Sequence, residues 1–197
     1  MTGKRDAGTD GGLAPSIAQA KTVPAQAASM KPDFRHLVGG TAALTFVLIL
    51  LGVYTGAAGA GLACAGRWPF CDGWLGLFPA NWPSFIEWFH RLVAMVTGFA
   101  ILGTTYAAWR GDHSRRVRFA SAVALVVLPV QVLLGANTIF NFGIWAQVAH
   151  HAAALAILVA LVAAAAWAVD ESVGGVAGAA TDADDEATAE TGASADD

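Results

Sequence analysis

The chain has 197 residues, 56% of them hydrophobic and only 13% charged, with a formal net charge of −4 and a mean hydropathy of +0.54. A water-soluble domain of this size carries about 25% charged residues, so a soluble globular fold is excluded, and the acidic balance leaves no basic footprint for nucleic acid. The apolar residues gather instead in runs long enough to cross a lipid bilayer, about 20 residues each.

In chain order, residues 1–33 are polar and rich in Ala and Gly, which predicts a disordered N-terminal segment rather than a cleaved leader. A first span is predicted over 37–57. An outer loop follows over 58–84 and holds Cys64 and Cys71. A second span over 85–109 opens with Glu87-Trp88-Phe89-His90-Arg91. The third, over 119–139, carries Pro129, Gln131, Asn137 and Thr138, residues that usually join helices or satisfy a kink. The fourth, over 144–169, contains the pair His150-His151. From Asp170 to Asp197 the chain is acidic and lacks Lys and Arg, which predicts a disordered tail. No internal repeat is evident beyond a loose likeness of the first span pair to the second.

Lys and Arg favour the cytoplasmic side of short connections. Lys4, Arg5, Lys21, Lys31 and Arg35 precede the first span, and Arg110, Arg115, Arg116 and Arg118 flank the second connection. The first connection holds only Arg67 and the third holds none. The expected protein is therefore an all-α, four-transmembrane-helix bundle in the cell membrane, with both termini cytoplasmic. Trp68, Trp74, Trp82, Trp88 and Trp145 then fall near the outer interface, and Trp109 and Trp167 near the inner one. His36 and His113 lie among basic residues and are read as solvated.

Ionisable side chains inside a span are costly and usually face a bundle interior that carries function. Spans two and four run in the same direction, and His90 and His150 each lie about seven residues, ~10 Å, past the outer helix end. Two imidazoles at one depth on facing helices suit the two sides of a flat metal cofactor, with heme the first candidate. His150 and His151 point about 100° apart on their helix, so one of them faces His90; the spacing leaves open which. Glu87 shares a face with His90 and reads equally well as a proton donor or acceptor at the cofactor edge and as an ion-pair partner of Arg91. The other spans lack Asp and Glu, which argues against a di-iron carboxylate site. Cys64 and Cys71, on the oxidising side, are expected to form a disulfide that pins the loop.

Several motifs together resemble the heme A synthase family, CtaA type. They are Gly59-Ala60-Gly61-Leu62-Ala63-Cys64, Trp68-Pro69-Phe70-Cys71, the Glu87-x-x-His90-Arg91 segment, Val130-Gln131-Val132-Leu133-Leu134-Gly135-Ala136-Asn137-Thr138, and His150-His151-Ala152-Ala153-Ala154. The likeness runs roughly from Gly52 to Leu161. It implies an enzyme that oxidises the C8 methyl of heme O to the formyl of heme A for terminal cytochrome oxidase. It also implies His90 and His150 as heme iron ligands with His151 second choice, Glu87 as the catalytic residue, and a redox role for the Cys64–Cys71 pair. Typical members have eight spans in two halves; this chain resembles one half, the short archaeal form, which implies a homo-oligomer. A basic residue common before the glycine motif is Gly56 here, leaving Arg91 or Arg67 as charge partner for the propionates. The implied cofactor is heme b and the substrate heme O. Implied partners are the bilayer, an electron donor or acceptor, heme O synthase and oxidase subunits. Two other classes share the same histidines: a quinol-linked b-type cytochrome, and a non-catalytic heme carrier or oxidase assembly factor.

Overall fold

The structure, a computed structural model, describes residues 33–193, with side chains described as far as Gly174. The segment 1–32, expected to be disordered, lies outside the described residues. Four α-helices account for most of the rest: α1 (Phe34–Ala57), α2 (Trp82–Arg110), α3 (Arg115–Phe140) and α4 (Ile144–Ala193). All four are long and apolar enough to cross a membrane, α4 doing so over Ile144–Gly174. The protein is an all-helical, multi-pass membrane bundle.

The helices begin where polar residues satisfy their free N–H groups. The Asn81 side chain accepts from Ser84 N at 3.0 Å, with Pro83 in the first turn, and the Ser114 hydroxyl accepts from Val117 N at 3.4 Å. Helices α2 and α3 therefore start a few residues ahead of their apolar runs, including Trp82 and Arg115. α3 also continues through Pro129. Neighbouring helices shelter the freed carbonyl in such bundles, so a proline need not break a spanning helix.

α4 differs most from expectation. It runs on through Ala193, past Asp170, where composition predicts that order ends. The segment beyond Asp170 is rich in alanine, the best helix former, and it inherits a helix already nucleated inside the span, so it escapes the cost of starting one.

Each helix packs against two others. Among the described residues α1 and α3 both pack closely against α2 and α4, while α1 and α3, and α2 and α4, form the wider diagonal pairs. His90 on α2 and His150 on α4 thus sit on diagonally opposite helices. The end of the bundle carrying Phe34 is tightly packed: Val38, Ala108, Val117, Ala120 and Ala164 are buried together, and Ala42, Ile101, Ala124, Ile157 and Leu161 extend that core. The small side chains allow close helix approach, which drives association in lipid. Hydroxyl groups add polar glue: Thr41 and Thr104 are 2.8 Å apart, and Thr105 donates to the Ser121 carbonyl at 3.0 Å.

His113 is not the solvated residue that its basic neighbours suggest. Its ring lies 4.1 Å from that of Phe34 and its Nδ1 is 3.4 Å from Glu171. Glu171 also accepts from Ser114 N at 3.0 Å, closing the α2–α3 connection onto α4. Its partners come from distant helices, so local sequence hides the contact. His36 is exposed.

Candidate functional site

The other end of the bundle opens into a cavity of about 540 Å³ lined by all four helices and by the 58–81 loop. Cavities that enclose a small-molecule cofactor span about 300–1,000 Å³. Glu87, His90, Arg91, His150 and His151 all line it, so the candidate residues from two separate spans converge on one space.

The rings of His90 and His150 rest on glycines. A Cβ built at Gly52 of α1 would stand 3.0 Å from His90 Cε1, and one at Gly135 of α3 would stand 3.1 Å from His150 Cε1. Any larger residue would force the imidazole to move. Both rings bury Nδ1 without a hydrogen-bond partner. His150 Nε2 lies 3.3 Å from Gln131 Nε2, while Gln131 Oε1 is buried and unpartnered. His151 is tied differently: its Nδ1 is 2.7 Å from the Gln147 carbonyl one turn back. That bond places the proton on Nδ1 and the lone pair on Nε2.

Glu87 is buried, 3% exposed, and both of its oxygens are engaged. One pairs with the Arg91 guanidinium in a short ion pair, and the other accepts from Cys64 N at 2.7 Å. The ion-pair reading of Glu87 is therefore realised, with a backbone partner that sequence does not reveal. Arg91 Nη1 also reaches the carbonyls of Phe70, Arg67 and Pro69 at 2.6, 2.9 and 3.2 Å. Its guanidinium thus fastens the loop above the cavity, and a role toward an acidic group of a ligand has to share it. Gly61, Trp68 and Pro69 of the loop form part of the lining.

Cys64 and Cys71 are joined in a disulfide, both buried. Asp72 beside them lies within reach of the Ser84 hydroxyl at 2.8 Å and of Ala80 N at 3.3 Å. The Ser84 hydrogen bond, helped by the Ala80 N–H, holds the Asp72 carboxyl below its usual range against a smaller opposing effect of desolvation. The cysteines and Asp72 lie close enough to suggest a metal cluster, but sulfurs spent in a disulfide offer no thiolate.

The donor set fits a metal held by nitrogen. Two imidazoles on opposite helices flank the cavity, and among its described lining residues Glu87 is the one carboxylate. Sequence reasoning missed three participants: Gln131, Gly52 and Gly135. Gln131 reads as interhelical glue until α4 is placed beside it, and Gly52 and Gly135 enter only as members of the resembling stretch from Gly52 to Leu161. Polarity, small size and membership of that stretch were the signals available.

Fold and site together define a multi-pass helical membrane protein with a histidine-flanked cavity between its helices. Residues 14–162 match the COX15-CtaA family, described as cytochrome oxidase assembly protein. The chain belongs to that family. It is 37% identical over 101 residues to a heme A synthase of Bacillus licheniformis, covering 50% of this chain and 32% of that protein. A heme A synthase of Symbiobacterium thermophilum is 33% identical over 105 residues, 53% of this chain and 34% of its own. A protoheme IX farnesyltransferase of Halobacterium salinarum is 36% identical over 144 residues, 72% of this chain and 31% of its own. The chain thus spans about a third of the length of these curated relatives.

Proposed function

We propose that the chain is a heme A synthase that oxidises the C8 methyl of heme O to a formyl group. The observation that carries this reading is the convergence of His90 and His150, from diagonally opposite helices, on one cavity with Glu87 at its rim. His90 and His150 would hold the iron, each steadied by a glycine beneath its ring, with His151 the second choice on α4. Heme bound there supplies the redox centre. Glu87, on the cavity wall, takes up protons released as the methyl is oxidised, and Arg91 holds Glu87 and the loop in register. Two successive hydroxylations each replace a methyl C–H bond with C–O; with water as the oxygen source each releases two electrons and two protons. Loss of water from the resulting gem-diol leaves the formyl, so the whole change passes four electrons to an acceptor outside the chain. By the distribution of Lys and Arg both termini are cytoplasmic and the cavity opens near the outer surface. A second copy of the chain completes the enzyme in place of the second half found in eight-span members.

A second reading has its own support. Proteins named protoheme IX farnesyltransferase carry the matching stretch in about a third of their length. A bundle of this kind beside a farnesyltransferase would receive the farnesylated heme and pass it on without oxidising it. One experiment separates the two: chromatography of hemes extracted from membranes that make heme O, with and without this chain. New heme A or its hydroxylated intermediate is expected. Heme O that is bound but unchanged, with a redox partner supplied, would leave the carrier reading and remove the synthase.

A further inference from the structure

The cavity has a local twofold repeat. Leu48, Gly52 and Thr55 on α1 recur at the same intervals as Gln131, Gly135 and Thr138 on α3, and all six line the cavity. Glu87, His90 and Arg91 on α2 recur likewise as Gln147, His150 and His151 on α4. The correspondence is spatial as well as sequential. A Cβ at Gly52 would lie 3.0, 3.6 and 3.8 Å from His90 Cε1, Nδ1 and Nε2; the matching values at Gly135 and His150 are 3.1, 3.6 and 3.9 Å. Because each helix packs closely against its two neighbours in the ring, an operation carrying α1 onto α3 and α2 onto α4 is a twofold running along the bundle.

Such an axis exchanges the two histidines, and therefore the two faces of any flat ring gripped between them. A heme has unlike side groups on its left and right edges. Turned over about the axis, it keeps its propionates at the same end and swaps those edges. In a perfectly symmetric site both orientations would have equal energy, so a preference has to come from what the axis does not repeat: the loop residues Gly61, Trp68 and Pro69 on one side, and unlike pairs such as Leu48 against Gln131, Gly56 against Ile139, Glu87 against Gln147, and Arg91 against His151.

These pairs are not equal in effect. Both oxygens of Glu87 and both Nη atoms of Arg91 are occupied by each other and by the loop. Gln131 is only half committed: its amide nitrogen lies 3.3 Å from His150 Nε2, whereas its oxygen is buried without a partner. The position equivalent to it, Leu48, offers no polar atom. We infer that the Leu48/Gln131 difference selects one of the two orientations of bound heme, and so decides which edge of the ring is presented to Glu87. This rests on the heme-binding reading above and specifies how the heme held in that site is oriented.

The test uses the full chain in detergent loaded with iron protoporphyrin IX. Proton NMR of the ferric low-spin heme methyl groups resolves the two orientations and reports their ratio. The unmodified chain is expected to favour one by about tenfold, the ratio that about 1.4 kcal/mol maintains. Leu48→Gln combined with Gln131→Leu should reverse the preference, and Gln131→Leu alone should bring the ratio toward equality. An equal ratio in the unmodified chain, or an unchanged preference in both variants, overturns the inference while leaving heme binding intact. Absence of any low-spin heme overturns the heme reading and this inference with it.

Discussion

Gly52 lies so close beneath His90 that a methyl group there would stand 3.0 Å from the imidazole Cε1. A ring held by helix backbone on one side and facing a cavity on the other has few rotamers left, and such pre-positioning is what a metal-ligating imidazole requires.

The first prediction follows from that contact. Gly52→Ala and Gly135→Ala should each displace the adjacent ring and lower the heme retained per chain, with overpacking costing about 1–3 kcal/mol. Gly103→Ala is the control, because a Cβ there meets nothing within 4 Å; it should be neutral or stabilising by about 0.5–1 kcal/mol. Heme-to-protein ratio after purification is the measurement, and equal heme loss in all three variants would refute the ring-seat explanation.

The ligand assignment makes a sharper demand. His90→Ala and His150→Ala should each abolish the low-spin heme spectrum, whereas His151→Ala should keep it. A normal bis-histidine spectrum in His150→Ala, lost instead in His151→Ala, would move the ligand to the neighbouring position.

Glu87 and Arg91 separate chemistry from architecture. Glu87→Gln keeps an acceptor oxygen for Cys64 N, so heme should remain bound while heme A formation falls by about 100-fold or more, the usual scale of a lost proton-transfer group. Arg91→Ala should lower thermal stability in detergent by about 3–5 kcal/mol, since it leaves a buried carboxylate without its partner. Unchanged product formation by Glu87→Gln would take Glu87 out of the mechanism.

Asp72 predicts how the loop responds to acid. Its carboxyl is held low in the folded protein, so its contribution is present above the unfolded-state pKa and is lost as pH falls through the lower folded value. Acid below the usual carboxylate range should therefore loosen the loop and speed reduction of the Cys64–Cys71 disulfide by a soluble phosphine. Asp72→Asn should be loosened already at neutral pH and lose the acid dependence. A parallel pH profile for both proteins would count against the assignment.

Much of this arrangement is legible in the sequence, for identifiable reasons. Spans are readable because lipid demands long apolar runs, but apolar runs alone place the starts of α2 and α3 at 85 and 119, a few residues late, because the capping residues Asn81 and Ser114 lie outside those runs. Glu87, His90 and His150 are conspicuous because polar groups in such runs are rare. The pairing of Cys64 with Cys71 is short-range and needs no knowledge of the fold. What sequence hides is neighbourhood. Gln131 acquires a role only when α4 brings His150 to it, Glu87 its backbone partner only when the loop folds back to offer Cys64 N, and His113 its partner only when α4 brings Glu171 beside it. The helix through Ala193 was concealed for another reason: composition measures the ability to bury apolar surface, whereas a helix already begun needs only residues willing to extend it.

The connections between helices differ greatly in length. α3 and α4 are joined by residues 141–143 alone, whereas α1 and α2 are separated by residues 58–81. Closing a short connection costs less chain entropy than closing a long one, and local contacts form first where closure is cheap. The α3–α4 turn, which sets Gly135 and Gln131 beside His150, and the α2–α3 turn of residues 111–114 are thus both inexpensive to close. Only α1, which carries Gly52 beneath His90, depends on seating the long 58–81 loop. The seats of the two nitrogen donors therefore differ in what they cost to build, one set by a short turn and the other by a long loop.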